Sequence, residues 1–146
     1  MKHIYWEYEN FGEDKEKQQE LGAFYTPKVL IEKMYKNVSE FKDKTFYDPT
    51  FGYGALLGFA LDKKLDAGED VNKAITEVYG CELDPNVYAK GLEKLENWAR
   101  KNGANEESIA KMKSHFVNMD TLQFDPSRYW MQNDKVNPFA KIKSYS

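Results

Sequence analysis

A single cysteine, Cys81, stands in 146 residues. That excludes an internal disulfide and any zinc site built on cysteine. The two histidines, His3 and His115, lie far apart without a ligand cluster around either, so no metal centre is expected. Charge of one sign is lacking as well: 21 Lys and Arg against 24 Asp and Glu leave a net charge of -3. The chain therefore has no strongly basic coat of the kind that wraps nucleic acid, although a local patch stays open. No apolar run approaches 18 residues and the mean hydropathy is -0.77, which leaves no candidate membrane helix. Met1-Lys2-His3-Ile4-Tyr5 has no long apolar stretch of the secretion-signal type. The expectation is a soluble, cytoplasmic chain with no membrane partner. What is present is core material: 41% apolar and 15% aromatic residues, enough for one folded domain.

Residues 1–20 are aromatic and then very polar, and read as an N-terminal arm. Order is expected over 21–146. Thr26-Pro27 is a helix-start signal, a capping side chain before a ring pre-set for the first helical position. Leu30, Ile31, Met34, Tyr35 and Val38 follow at three-to-four spacing, which predicts one apolar helical stripe. Thr45-Phe46-Tyr47 reads as a strand running into Asp48 and the turn Gly52-Tyr53-Gly54, and 55–61 as a helix buried on most sides. Asp66 to Lys73 reads as a polar loop, and Ile75 to Cys81 as a second strand stopping at Glu82. After Asp84-Pro85, the residues Val87, Tyr88, Leu92, Leu95, Trp98 and Ala99 predict one buried helix face that ends at Asn102-Gly103. A short helix over 106–113 and a third strand, 115–117, complete the pattern. Tyr129-Trp130-Met131 reads as the start of a fourth strand, interrupted by Gln132-Asn133-Asp134-Lys135. Alternating strands and helices predict an α/β unit with parallel strands and right-handed crossovers.

Three strand ends each deliver a polar signal, and in open α/β sheets ligands bind beyond those ends. Two glycines at 52 and 54 let the backbone pass beneath a ligand where a Cβ would collide. Glu82 ends the second strand, where a carboxylate accepts both hydroxyl protons of a ribose. Asp120 follows the third, placed to accept a proton from an adenine amine. Singly, each is an ordinary turn, solvated strand end or cap; in order, after successive strands, they predict a nucleoside ligand. Gly52, Gly54 and Gly58 loosely mimic a dinucleotide fingerprint, but Asp48 before them would repel a pyrophosphate and suits a cationic amino-acid headgroup. Ribose, adenine and an ammonium group together describe S-adenosylmethionine.

These segments resemble the amino-terminal half of the DNA adenine-N6 methyltransferases, the group that includes the modification subunits of restriction systems. Gly22-Ala23-Phe24-Tyr25-Thr26-Pro27 resembles the opening motif of that family, whose aromatic and threonine contact the methionine end of the cofactor. Asp48-Pro49-Thr50-Phe51-Gly52-Tyr53-Gly54-Ala55-Leu56-Leu57 resembles the D-P-x-x-G-x-G-x-x-L signature, with Asp48 matching the residue that meets the amino group. Tyr79-Gly80-Cys81-Glu82-Leu83-Asp84-Pro85 resembles the ribose-binding motif, and Asn118-Met119-Asp120-Thr121-Leu122 the adenine-contacting one. The match runs from about residue 21 to 125. It implies a truncated Rossmann-like methyltransferase fold and a cofactor set of Phe24, Tyr25, Thr26, Asp48, Pro49, Gly52, Gly54, Glu82, Leu83, Asp120 and Thr121. It also implies DNA as partner and adenine as target.

The catalytic signature of the family is N/D-P-P-Y/F after a hydrophobic fourth strand: an aromatic ring stacks on a flipped base while polar groups accept its amine protons. The nearest match is Asn137-Pro138-Phe139, which lacks one proline, and the stretch before it is too polar for a buried parallel strand. A misplacement of about 1 Å costs on the order of 100-fold in rate. Two readings follow: an adenine-specific DNA methyltransferase or a piece of one, with Asn137, Pro138 and Phe139 as catalytic candidates, or an inactive S-adenosylmethionine-binding regulator or decoy. Methylation of RNA or of protein glutamine ranks last. A sheet of three or four strands also invites a partner chain or a second copy to complete it.

Overall fold

Three short parallel strands, described together with their crossovers by a computed structural model of residues 28–130, form the centre of the fold. The elements are α1 (Lys28–Met34), β1 (Phe46–Asp48), α2 (Ala55–Asp66), α3 (Val71–Ala74), a 3-10 turn (Ile75–Glu77), β2 (Val78–Cys81), α4 (Pro85–Lys101), α5 (Glu106–Lys113), β3 (Phe116–Val117) and α6 (Pro126–Trp130). The sheet order is β1-β2-β3, with Phe46 opposite Val78, Asp48 opposite Gly80, and Cys81 opposite Val117. This is a mixed α/β fold with a small parallel sheet, compatible with a Rossmann-like arrangement.

Strand alternation sends side chains to two faces. On one face Val78 and Phe116 join Phe51, Leu57, Leu61, Leu95, Trp98, Ile109 and Met112, so α2, α4 and α5 all cover that side. On the other, Tyr79, Cys81 and Val117 pack with Phe124 and Trp130, with Tyr47 at the margin. A smaller cluster of Ile31, Tyr53, Ala55, Phe59 and Val87 seats α1. Trp98, buried at 2% exposure, anchors α4 by donating its indole N–H to Asp62 Oδ1 at 3.1 Å.

The helix ends follow capping chemistry. Asp84 accepts from the N–H groups of Asn86 and Val87 and is followed by proline at the first helical position, so α4 starts there. Asn105 caps α5 through Ser108 N–H. Asp70 accepts from Asn72 and Lys73, which makes 71–74 a helix rather than the continuous polar loop expected over 66–73.

Four other expectations are corrected. The strand predicted over 75–81 begins only at Val78, because residues 75–77 wind into a 3-10 turn. The first strand is displaced by one residue, so that Asp48 is itself the last residue of β1, and the third begins one residue later than expected, at Phe116. Tyr129-Trp130 belongs to helix α6, not to a fourth strand, since Asp125 Oδ1 accepts from Arg128 N–H and Pro126 begins the turn. The stripe on α1 is only partly buried: Ile31 is inside and Tyr35 and Val38 half-buried, while Leu30 and Met34 face outward at 48% and 57% exposure. The arm at 1–20, the opening motif Phe24-Tyr25-Thr26 and the candidates Asn137, Pro138 and Phe139 lie outside the described residues.

Candidate cofactor site

Asp48 ends β1 and is buried, with Oδ1 accepting the N–H of Thr50 at 3.0 Å. Its carboxyl is pushed up to about 6, chiefly by desolvation; the negative charge of Glu82 adds to this, and the Thr50 hydrogen bond opposes it. A cavity of about 250 Å³ opens beside it, walled by Met34 and Tyr35, by Phe46 and Tyr47 of β1, and by Pro49 and Leu56. Tyr35 donates its hydroxyl to the Leu56 carbonyl at 2.8 Å, and burial and then the charge of Asp48 raise its phenol well above the ordinary tyrosine range. A neutral, apolar wall therefore surrounds one carboxylate, the setting in which a cation gains most from pairing.

After Asp48 the chain turns through Gly52 and Gly54, at φ 56° and 84°. Both are left-handed, a region where side chains with a Cβ are strained. The turn hydrogen-bonds back to the sheet: Phe51 N–H reaches the Cys81 carbonyl at 3.0 Å, and Gly52 N–H reaches Glu82 Oε1 at 3.2 Å. Gly54 then begins α2 without a side-chain cap. The turn sits so low because α4 presents Gly91 to it. A Cβ on Gly91 would lie 2.2 Å from the Gly52 carbonyl oxygen and 2.8 Å from the Phe51 ring.

Glu82 follows β2 and is buried at 7% exposure. Its Oε2 accepts the N–H of Asp84 at 2.9 Å, so each carboxylate oxygen keeps acceptor capacity for a further donor. Its own N–H bonds the Val117 carbonyl at 3.0 Å. Asn118 then donates its side-chain amide to the carbonyls of Glu82 at 2.8 Å and Leu83 at 2.9 Å, binding the end of β2 to the end of β3. Leu83, Met119 and Leu122 are exposed at 66%, 40% and 85%, leaving three apolar side chains on the loops that leave the sheet at this end. Asp120 is half-buried and closes a small turn by accepting Leu122 N–H at 3.0 Å. Beneath it, Cys81 is a core residue whose thiol donates to the Met119 carbonyl at 3.1 Å; burial raises it above the ordinary thiol range, against the contacts with Met119 and Thr121.

A family model for N-6 DNA methylases matches residues 3–136. The chain belongs to the N-6 DNA methylase family. It is 36% identical over 67 residues to the type I restriction enzyme MjaIX methylase subunit of Methanocaldococcus jannaschii, a stretch that covers 46% of this chain and 12% of that subunit. The chain thus spans only a minor part of that curated relative. No solved structure matches it.

Within this methylase-family chain, the residues singled out in the sequence separate into groups. Asp48, Pro49, Gly52, Gly54, Glu82 and Leu83 lie at the carboxyl ends of β1 and β2 and are tied together by the hydrogen bonds above. Asp120 and Thr121 follow the neighbouring β3. The cavity beside Asp48 is lined by Asp48 and Pro49, and its lining does not include Glu82 or Asp120. Two residues that support this end of the sheet, Gly91 and Asn118, were not among the site residues named from the sequence. Gly91 carried a signal: a glycine in the middle of the buried face of a helix costs about 1 kcal/mol against alanine, which a close backbone approach explains. Asn118 stands in the quoted Asn118-Met119-Asp120 motif, but its bonds to the end of β2 depend on β3 pairing beside it.

Proposed function

We propose that this chain is the cofactor-binding part of an S-adenosylmethionine-dependent DNA adenine-N6 methyltransferase, or of a methylase subunit in a restriction-modification system. The observation that carries the reading is the bridge from the glycine turn to Glu82, with buried Asp48 beside it. The fit is chemical: Glu82 has acceptor capacity for two ribose hydroxyls, the glycine turn leaves room above its backbone, and Asp48 offers its carboxylate to an ammonium group. Pro49 and Gly54 shape the turn, Leu83 offers an apolar contact for a purine, and Asp120 and Thr121 offer polar contacts to its edge. Phe24, Tyr25 and Thr26 are assigned to the methionine end by the family resemblance alone. The bound cofactor supplies an electrophilic methyl group; the protein's part here is to bind and orient it. Asn137, Pro138 and Phe139 are the proposed contacts to the target base.

Fold topology supports a partner for this unit. The helices joining β1 to β2 and β2 to β3 lie on one face, whereas Phe124 and Trp130 lie on the other. A right-handed connection over that second face leads back past β2 toward the outer edge of β1. Further strands, from this polypeptide or from a partner chain, are therefore proposed to pair with β1 and complete the wall beside Asp48. Methyl transfer from tritiated S-adenosylmethionine to mixed DNA, with and without a candidate partner subunit, tests the enzyme. Incorporation is expected, and none under either condition would remove it.

The second reading, an inactive S-adenosylmethionine-binding regulator or decoy, is favoured by one sequence observation: Asn137-Pro138-Phe139 lacks a proline of the signature. It predicts cofactor binding by calorimetry without methyl transfer.

A further inference from the structure

At the opposite end of the sheet from Asp48 and Glu82, four charged side chains gather around one buried ammonium group. Lys64 of α2 is fully buried, and its Nζ donates to the carbonyls of Phe41 and Lys44 and to Glu77 Oε1 at 2.7 Å, with Glu69 Oε1 at 3.5 Å. Its Nζ also lies 5.2 Å from the Phe46 ring centroid. Glu69 Oε1 accepts the N–H of Asp43 at 2.8 Å, and Asp43 has a left-handed backbone at φ 63°. Lys73 pairs with Asp43 and lies 3.7 Å from Glu77 Oε2. Helix α5 packs on the 3-10 turn with Ile109 and Met112 in the core, and its Glu106 and Lys113 pair instead with Arg100 and Glu96.

Two ammonium groups thus face three carboxylates, one oxygen of each lying within 4.8 Å of the others. One negative charge is in excess, at a place where Lys64 and Glu69 are shut off from water. An uncompensated buried charge is costly, and proton uptake is the usual relief. One buried oxygen, Glu69 Oε2, has no hydrogen-bond partner. The carboxyls of Glu69 and Glu77 are in contact, and a proton shared between them would give the pair a donor.

We propose that Glu69 and Glu77 hold one proton between them, and that its release is a switch that loosens the anchor of the loop entering β1. The anchor joins the loop before β1, the end of α2 and the residue before β2, so it fixes the starts of the two strands that carry Asp48 and Glu82 at their far ends. Burial and then the contact with Glu69 raise the Glu77 carboxyl to about 7, against the pull of Lys64, while Glu69 itself is held low. The proton is therefore lost near neutral pH. Below that point the cluster is neutral and Lys64 holds both carbonyls; above it the two carboxylates repel across the site.

Glu77→Gln mimics the protonated state and tests this without reference to any cofactor. Expected are a melting temperature above wild type at pH 8.5 with little difference at pH 5.5, and slower hydrogen exchange at Asp43 and Lys44 than in wild type at pH 8.5. Equal destabilisation at both pH values would overturn the proposal. If the variant fails to fold, carbon-13 titration of the wild-type glutamate carboxyls decides: one glutamate titrating between about pH 6 and 8 supports the shared proton, and all titrating below pH 5.5 overturns it.

Discussion

The backbone N–H of Gly52 and the carboxylate of Glu82 meet at 3.2 Å, although thirty residues separate them in the chain. That single bond joins the two elements on which the proposed nucleoside binding depends: the floor that would keep backbone out of the way and the acid proposed to grip the sugar. Because Glu82 Oε2 also holds Asp84 N–H, the carboxylate is oriented before any ligand arrives. Orientation in advance removes part of the ordering cost of binding.

Glu82→Ala is expected to weaken S-adenosylmethionine binding by about 1–3 kcal/mol through lost hydrogen bonds, and to lower stability because two backbone N–H groups lose their acceptor. Calorimetric titration with a parallel melting curve separates the two effects. Unchanged affinity would take Glu82 out of the site.

The raised carboxyl of Asp48 gives two pH predictions of opposite kind. Folding favours its protonated form, so its contribution to stability is fully present below the ordinary carboxylate range and is lost as pH rises through about 6. Binding of a cationic amino-acid headgroup favours the ionised form, so cofactor affinity falls as pH drops below about 6. Asp48→Asn should remove both trends, raising the melting temperature at pH 7.5 while weakening binding at that pH. A cofactor affinity flat between pH 5 and 7.5 in the wild type would contradict the pairing.

Much of the architecture was legible because the signals were local and mutually consistent. The stripe from Val87 to Ala99, the capping of α4 by Asp84-Pro85 and the helix over 106–113 all appear where their spacing puts them. Errors arose where tertiary contacts decide. Residues 75–77 have strand-forming types but wind into a turn that brings Glu77 to Lys64. Tyr129 and Trp130 look β-prone, yet Trp130 is buried against Tyr47 and Tyr79 from a helix begun at Asp125-Pro126. At the site, the glycines and acids could be named from the sequence. Gly91 left only a hint, a glycine on a buried helix face, and the contacts of Asn118 depend on β3 pairing beside β2, so the role of neither support could be named.

Gly91→Ala should be among the more damaging single-methyl additions in the chain. The new Cβ would meet the Gly52 carbonyl oxygen at 2.2 Å, so either α4 or the glycine turn must shift. Overpacking of this kind costs about 1–3 kcal/mol. A shift of the turn would carry Gly52 away from Glu82, so cofactor affinity should fall together with the melting temperature. Gly103→Ala serves as the control: it places its Cβ in open space, and its effect comes only from the backbone at φ 90°, so stability should fall modestly with no change in affinity. A Gly91→Ala protein with wild-type stability would show that the close approach does not exist in solution.

The most direct measurement is a structure of the chain with bound S-adenosylhomocysteine or S-adenosylmethionine. The account predicts the ribose hydroxyls on Glu82, the amino group on Asp48 and the purine near Leu83 and Asp120, all above the Gly52-Gly54 turn. A ligand bound elsewhere, or a folded protein that takes up neither compound at millimolar concentration, would contradict it.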